Sequence, residues 1–219
     1  MSNSDLRAPT RAGYGMEISS VRLDELDLCF LLRIKQWGRS GQRPHMLEIG
    51  CGSGALAREA ARTGAAVTAI DAVQVPTHPD DAANGIRFFT ASAPVFHEAL
   101  DESRFDFLVS QRTLHYLTQQ ECAATLQWFR RHVRVMAWTF LGVSGLSSEL
   151  SDGYADSDTP VAHRWGPLSA AMAAKHHIHR NVCLYSSNEL TQLVADCGFQ
   201  VEDCWLSPFG NIKLIARTI

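Results

Sequence analysis

The chain has 219 residues, a length that suits one domain and leaves ample room for a buried core. A content of 46% hydrophobic and 20% charged residues, with 15 Gly and 8 Pro, is that of an ordinary globular protein and excludes disordered, collagenous and membrane-spanning classes. Lys and Arg number 20 against 23 Asp and Glu, a net charge of −3, so no general basic surface exists to hold a nucleic-acid backbone.

Residues 1–19 are polar and turn-rich, and Met1 to Thr10 lack the apolar core of a secretory signal, which argues for a cytoplasmic protein. Leu23, Leu26, Phe30, Ile34 and Trp37 then recur at helical spacing before Gly38 and Gly41, predicting one amphipathic helix ahead of the main domain. From Met46 short apolar runs alternate with helical segments, the mark of a mainly parallel α/β sheet. Strands are expected at 46–49, 66–70, 86–89, 105–109 and 133–141. The longest apolar stretch, 135–143, is too short for the roughly 20 residues of a membrane-spanning helix and reads as a buried strand.

Helix starts are marked by chemistry. Thr118 followed by Glu121 makes a capping box, predicting a helix to about Arg131. Ser186 and Glu189 repeat the device, with Leu190, Leu193, Val194 and Cys197 on one face and Gly198 as the stop. Residues 200–206 and 212–216 read as strands joined through 207–211, a connection short enough for an antiparallel hairpin. Residues 144–185 form an irregular stretch longer than a connection requires and are read as a functional insertion. Cys29, Cys51, Cys122, Cys183, Cys197 and Cys204 are scattered with no C-x-x-C pair, which suggests neither a zinc site nor a disulfide framework.

The informative run is His45 to Gly54, a buried strand followed by three alternating glycines and a helix over 55–63. Glycines are required where the backbone turns sharply from strand to helix and where a ligand must approach without a Cβ in the way. Strand two ends in Asp71, 17 residues beyond Gly54 and near the offset at which an acid accepts from ribose hydroxyls. Gly50-x-Gly52-x-x-Ala55 also satisfies the relaxed dinucleotide pattern, so an NAD-dependent oxidoreductase is a rival reading, and a cofactor-binding module without catalysis is a third.

The spelling Glu48-x-Gly50-x-Gly52-x-Gly54 resembles the first motif of class I S-adenosylmethionine-dependent methyltransferases, and the likeness extends to Asp71, to 105–110 as strand four and to the terminal hairpin. S-adenosylmethionine carries no phosphate, so it needs acceptors for an amino group and room beside a sulfonium rather than a helix N-terminus. The resemblance implies a seven-stranded, doubly wound Rossmann-like sheet in the order 3-2-1-4-5-7-6, with residues 1–219 as one domain and 1–44 as an amino-terminal lid and helix. It implies that Gly50, Cys51 and Gly52 line the methionine moiety, with Glu48 and Gly54 also among the cofactor-binding residues, that Asp71 binds ribose, and that Ala72 or Val73 flank the adenine. Where the family often has an acid after strand three, this chain has Ser92 and Ala93, and a hydroxyl at Ser92 would still hydrogen-bond the adenine.

The loop after strand four should lie at the carboxyl edge of the sheet beside the methyl group. Ser110, Gln111, His115 and Tyr116 are its candidates, His115 as a base with an ordinary pKa near 6.5 or else as a histidine packing the next helix. Tyr14 between two glycines either closes over the donor or belongs to a plain tail. The insertion offers Tyr154, His163 and Trp165 for the acceptor. Its acids Glu149, Asp152, Asp156 and Asp158 read as a solvated loop or as an attraction for a cationic amine. The run His176, His177, His179, Arg180 lacks helpful metal spacing and suits an anionic substrate better. The expectation is methyl transfer to a small-molecule acceptor with no metal, no membrane and no nucleic acid.

Overall fold

The computed structural model describes residues 13–15, 23–95, 100 and 104–219, with the side chain of Val135 left aside. Apart from 13–15, the polar stretch expected over 1–19 lies outside the described residues, and so does the amino end 1–10.

Helix α1 (Glu25–Gly38) starts one turn into the predicted pattern because Asp24 caps it. The Asp24 carboxylate accepts from the N–H groups of Leu26 and Asp27 at 3.0 and 3.1 Å, and Asp27 accepts in return from the Asp24 N–H at 3.0 Å. Strands β1 (His45–Ile49), β2 (Ala66–Asp71), β3 (Ile86–Thr90) and β4 (Phe105–Gln111) follow, with α2 (Ala55–Thr63) between the first two. Helix α3 (Gln119–Arg131), strand β5 (Val133–Val143), helix α4 (Ala170–His176), helix α5 (Ser187–Asp196) and the hairpin β6 (Phe199–Leu206) and β7 (Ile212–Thr218) complete the chain. Both expected capping boxes are present: Thr118 with Glu121 and Ser186 with Glu189.

The seven strands order β3-β2-β1-β4-β5-β7-β6, parallel except for β7, which runs antiparallel to both neighbours. Successive residues of the inner strands face opposite layers, as the two-residue period of a strand requires. Met46 and Phe107 pack with Phe30, Ile34 and Leu56 under α1 and α2, whereas Leu47 and Leu108 pack with Leu126, Phe129 and Leu190 under α3 and α5. Helix α1 therefore belongs to the sheet's own sandwich. Among the described residues, no helix is long and apolar enough to cross a membrane.

The insertion is ordered around a cluster of its own, including Leu150, Tyr154, Leu168, Met172, Ile178 and Val182. Buried Arg164 ties it to the frame. The guanidinium grips Glu189 at 2.8 and 3.1 Å and donates to the carbonyls of Leu184 and Thr159, so the acid that caps α5 is also the anchor of the insertion. This second use holds the Glu189 carboxyl below its ordinary pKa, the Arg164 hydrogen bonds and the cap outweighing the opposing effect of burial.

Helix α1 is joined to the carboxyl edge of the sheet by a polar knot. Gln111 at the end of β4 donates to Asp24 at 3.0 Å and to Asp27 at 2.8 Å, while the Lys213 ammonium pairs with Asp24 and donates to Gln111 Oε1 at 3.0 Å. Lys213 is 3% exposed, so its charge depends on these partners for solvation. Burial and the neighbouring Asp24 charge raise the Asp27 pKa; burial opposes ionisation of Asp24 too, but Lys213 and the cap bonds hold its pKa down. Lys213→Ala leaves two carboxylates without their cation and is expected to destabilise the protein by about 3–5 kcal/mol in urea titrations, with α1 losing protection first in hydrogen exchange.

Candidate functional site

A cavity of about 750 Å³ opens at the carboxyl ends of β1, β2 and β4, within the range of roughly 300–1,000 Å³ typical of ligand sites. One wall is the glycine loop after β1. Gly50 has φ +77°, and a Cβ there would meet Thr113 Oγ1 at 1.8 Å, so the bare backbone lets the β4 loop press against the β1 loop. Gly52 N–H donates to Asp71 Oδ2 at 2.8 Å, and the other oxygen accepts from Val73 N–H at 2.9 Å. The carboxylate at the end of β2 is thus locked against the loop and lines the cavity, with Ala72 and Val73 beside it. Arg58 braces the floor, donating to the carbonyls of Ser53 and Pro76, each at 2.7 Å, and pairing with Asp81. Its hydrogen bond keeps the Asp81 carboxyl below the usual range.

The opposite wall comes from the β4 loop and the insertion. His115 lies in a 3-10 turn, Leu114–Tyr116, and is 1% exposed. Its carbonyl accepts from Cys183 N–H at 2.8 Å, and its Nδ1 has no hydrogen-bond partner among the described residues. Burial, reinforced by the Arg112 charge, lowers its pKa from the ordinary 6.5 to about 3. The imidazole is neutral at every physiological pH. Tyr116 donates to the Tyr14 carbonyl at 2.7 Å, and the two rings meet edge to face at 5.0 Å. Residues 13–15 lie across the cavity as a strap, paired antiparallel with the insertion through Gly15 N–H to His177 O and His179 N–H to Gly13 O.

Of the residues singled out from sequence, Tyr14, Glu48, Gly50, Gly52, Asp71 and Ala72 line this cavity, and so do Val73, Ser92, Ala93, Gln111, His115 and Tyr116. Six others do not. Cys51 is buried in the apolar layer under α1 and α2, because it points to the far side of the loop. Gly54 caps α2, where a Cβ would strike the Phe88 ring at 2.6 Å, so its glycine serves packing. Ser110 is fully buried and donates to the Ile49 carbonyl at 3.0 Å, stitching β4 to β1. Tyr154 is 3% exposed within the insertion's cluster and donates to the Val182 carbonyl at 2.7 Å. His163 and Trp165 face solvent away from the cavity.

Several lining residues escaped the sequence reading. Asp27 and Thr113 arrive from α1 and the β4 loop, and Phe209 and Asn211 from the terminal hairpin. Glu149, read as part of a solvated acidic run, pairs with Lys175 and His176 at the cavity rim, and the Lys175 hydrogen bond lowers its pKa. Arg112 has φ +54°, a backbone state that costs a non-glycine residue roughly 1–3 kcal/mol. The described residues hold no group of three metal-ligating side chains.

The profile of the methyltransferase domain family matches residues 25–203. The chain belongs to that family. Methyltransferases of this family take their methyl group from S-adenosylmethionine. The fold is shared with solved methyltransferases of low sequence identity. The 1,6-didemethyltoxoflavin-N1-methyltransferase of Burkholderia thailandensis, solved with 1,6-didemethyltoxoflavin and S-adenosylhomocysteine, is 20% identical with a TM-score of 0.64, over 89% of this chain and 78% of that one. An S-adenosylmethionine-dependent methyltransferase of Clostridium acetobutylicum is 9% identical with a TM-score of 0.63, over 91% and 94% of the two chains. Magnesium protoporphyrin IX methyltransferase of Synechocystis, solved with S-adenosylhomocysteine, is 13% identical with a TM-score of 0.59, over 95% and 92%. No curated protein sequence matches the chain.

The state of His115 has a measurable sign. Because its folded pKa lies below its unfolded one, the unfolded methyltransferase binds the extra proton first, and stability falls as pH drops from about 6.5 towards 3, by about 1.4 kcal/mol per pH unit from this group. The imidazole nitrogen shifts of His115 should stay those of a neutral ring from pH 5 to 8, and His115→Phe should flatten that part of the stability profile.

Proposed function

We propose that this methyltransferase transfers the methyl group of S-adenosylmethionine to a small organic molecule. The observation that carries the reading is the pairing of Gly52 N–H with Asp71 at the cavity wall, since it places a fixed carboxylate beside a side-chain-free loop. A carboxylate at this wall would accept from the hydroxyls of a ribose. Ala72, Val73 and Ser92 would flank the adenine, Ala93 beside them, and Glu48 with the loop around Gly50 and Gly52 would face the methionine end. The residues present suit a nucleoside sulfonium better than a dinucleotide, because Asp71 occupies the Gly52 N–H that a pyrophosphate would need.

Bound S-adenosylmethionine supplies an electrophilic methyl carbon on a positively charged sulfur. A lone pair of the acceptor atom takes that carbon as the carbon–sulfur bond breaks with its electrons left on sulfur, so the main demand on the protein is in-line placement of the acceptor. The β4 loop meets that demand. His115, whose neutral ring lines the cavity, would accept a hydrogen bond from the acceptor's O–H or N–H and hold its lone pair towards the methyl group. A group with a pKa of about 3 stores a proton poorly at pH 7, so the acceptor's proton leaves to solvent and His115 orients more than it titrates. Tyr14, held on the strap, would exclude water from above.

A small acceptor fits the net charge of −3, which offers nucleic acid little attraction, and the presence of 1,6-didemethyltoxoflavin in the Burkholderia structure supports the same class. Calorimetry with S-adenosylhomocysteine and with NAD tests the donor: binding of NAD alone would refute the reading. Asp71→Ala is expected to weaken S-adenosylhomocysteine by about 1–3 kcal/mol with the fold retained. Gly52→Val should weaken it further by driving a branched side chain into the berth.

A further inference from the structure

Arg112 is the first residue beyond β4, at the carboxyl edge of the sheet. Its N–H donates to the Gly142 carbonyl at 2.6 Å, and the next residue, Thr113, is wedged against Gly50. Those two constraints impose the left-handed backbone at Arg112, and the side chain lines the cavity instead of following Gln111 into the knot under α1. Three of the four acids lining the cavity are engaged elsewhere, Asp27 with Gln111, Asp71 with Gly52 and Val73, Glu149 with Lys175 and His176, and the fourth, Glu48, is buried on β1. Among the described residues the Arg112 guanidinium has no hydrogen bond and no ion pair. Half-buried and unable to shed its charge, it presents five donors to whatever enters.

Its position is on the acceptor flank. The Arg112 charge acts on His115 and Tyr116, which adjoin the insertion, whereas the ribose and adenine positions proposed above lie at the ends of β2 and β3. His115 supplies a second, independent sign of a ligand: an imidazole 1% exposed whose Nδ1 lacks a partner and which lines the same cavity three residues on. An unpaired cation and a neutral imidazole on one wall, backed by the apolar surfaces of Tyr116, Leu117 and Ile178, describe a small, partly apolar anion with a separate hydroxyl or N–H.

We infer that the acceptor is a small organic acid, its carboxylate paired with Arg112 and its methyl-accepting group turned to His115. A bidentate carboxylate pair would repay both the desolvated guanidinium and the strained backbone that delivers it. The inference rests on the methyltransferase reading, and the test separates the two. Protein saturated with S-adenosylhomocysteine is titrated calorimetrically with 4-hydroxybenzoate and with 4-hydroxybenzamide, which have nearly the same shape and differ in charge. The acid is expected to bind at least about tenfold tighter than the amide. In Arg112→Gly, a residue at ease with positive φ, that preference should vanish while S-adenosylhomocysteine affinity stays within about twofold; Arg112→Lys should restore part of it. Equal binding of acid and amide, or no binding of the acid at millimolar concentration, would overturn the inference. A roughly tenfold loss of S-adenosylhomocysteine affinity in Arg112→Gly would overturn it too, by assigning the guanidinium to the donor's own carboxylate. Failure of the unaltered protein to bind S-adenosylhomocysteine at all would strike the methyltransferase reading instead.

Discussion

The carboxylate of Asp71 holds two loops that would otherwise be independent. One oxygen takes the N–H of Gly52 from the first crossover and the other takes the N–H of Val73 from the second, so the rims of β1 and β2 cannot drift apart. An ionised acceptor makes such bonds stronger than neutral ones, and their partial shelter from solvent strengthens them further. The cavity walls inherit this rigidity. Arg58 extends it downwards by tying the Ser53 and Pro76 carbonyls to Asp81, and Thr113 extends it sideways by filling the space that Gly50 leaves.

Charge is handled differently at the two ends of the site. Under α1 the charged groups meet partners within the protein, with Lys213 and two aspartates arranged around the amide of Gln111, and the knot serves to position a helix. Near the insertion the balance is left open at Arg112. The contrast is informative because a buried or half-buried charge is costly unless something solvates it. A fold that surrounds Lys213 with Asp24 and Gln111 and leaves Arg112 facing a cavity has placed its unmet demand on the cavity wall.

Much of this was legible in the amino-acid sequence because the signals are local. The capping boxes at Thr118 and Ser186 need only residues three apart, the strands announce themselves as apolar runs, and the glycine loop with Asp71 lies within 24 residues, from 48 to 71. The errors have physical causes of the same scale. Cys51, Gly54 and Ser110 stand beside true lining residues, but alternate positions on a strand or tight loop face opposite ways, and each of these serves the interior. Tyr154, His163 and Trp165 were selected by chemistry alone within a segment whose path no pattern revealed, and α4 carries too short a period to be seen. Asp27, Lys213 and Arg112 acquire meaning only when the chain closes: the Lys213 contact to Asp24 spans 189 positions, and no window of sequence contains it.

The attachment of the insertion has a consequence for how such a protein can diversify. Residues 144–185 carry their own apolar cluster, meet the frame through the Arg164 clasp on Glu189, and send Glu149, Lys175 and Ile178 to the cavity wall. The glycine-loop wall of the cavity and the wall built by the insertion are thus separately supported, like a common handle that accepts interchangeable heads. Mutations that reshape what is recognised can accumulate in one module while the machinery shared by its relatives stays intact, provided that the clasp is kept.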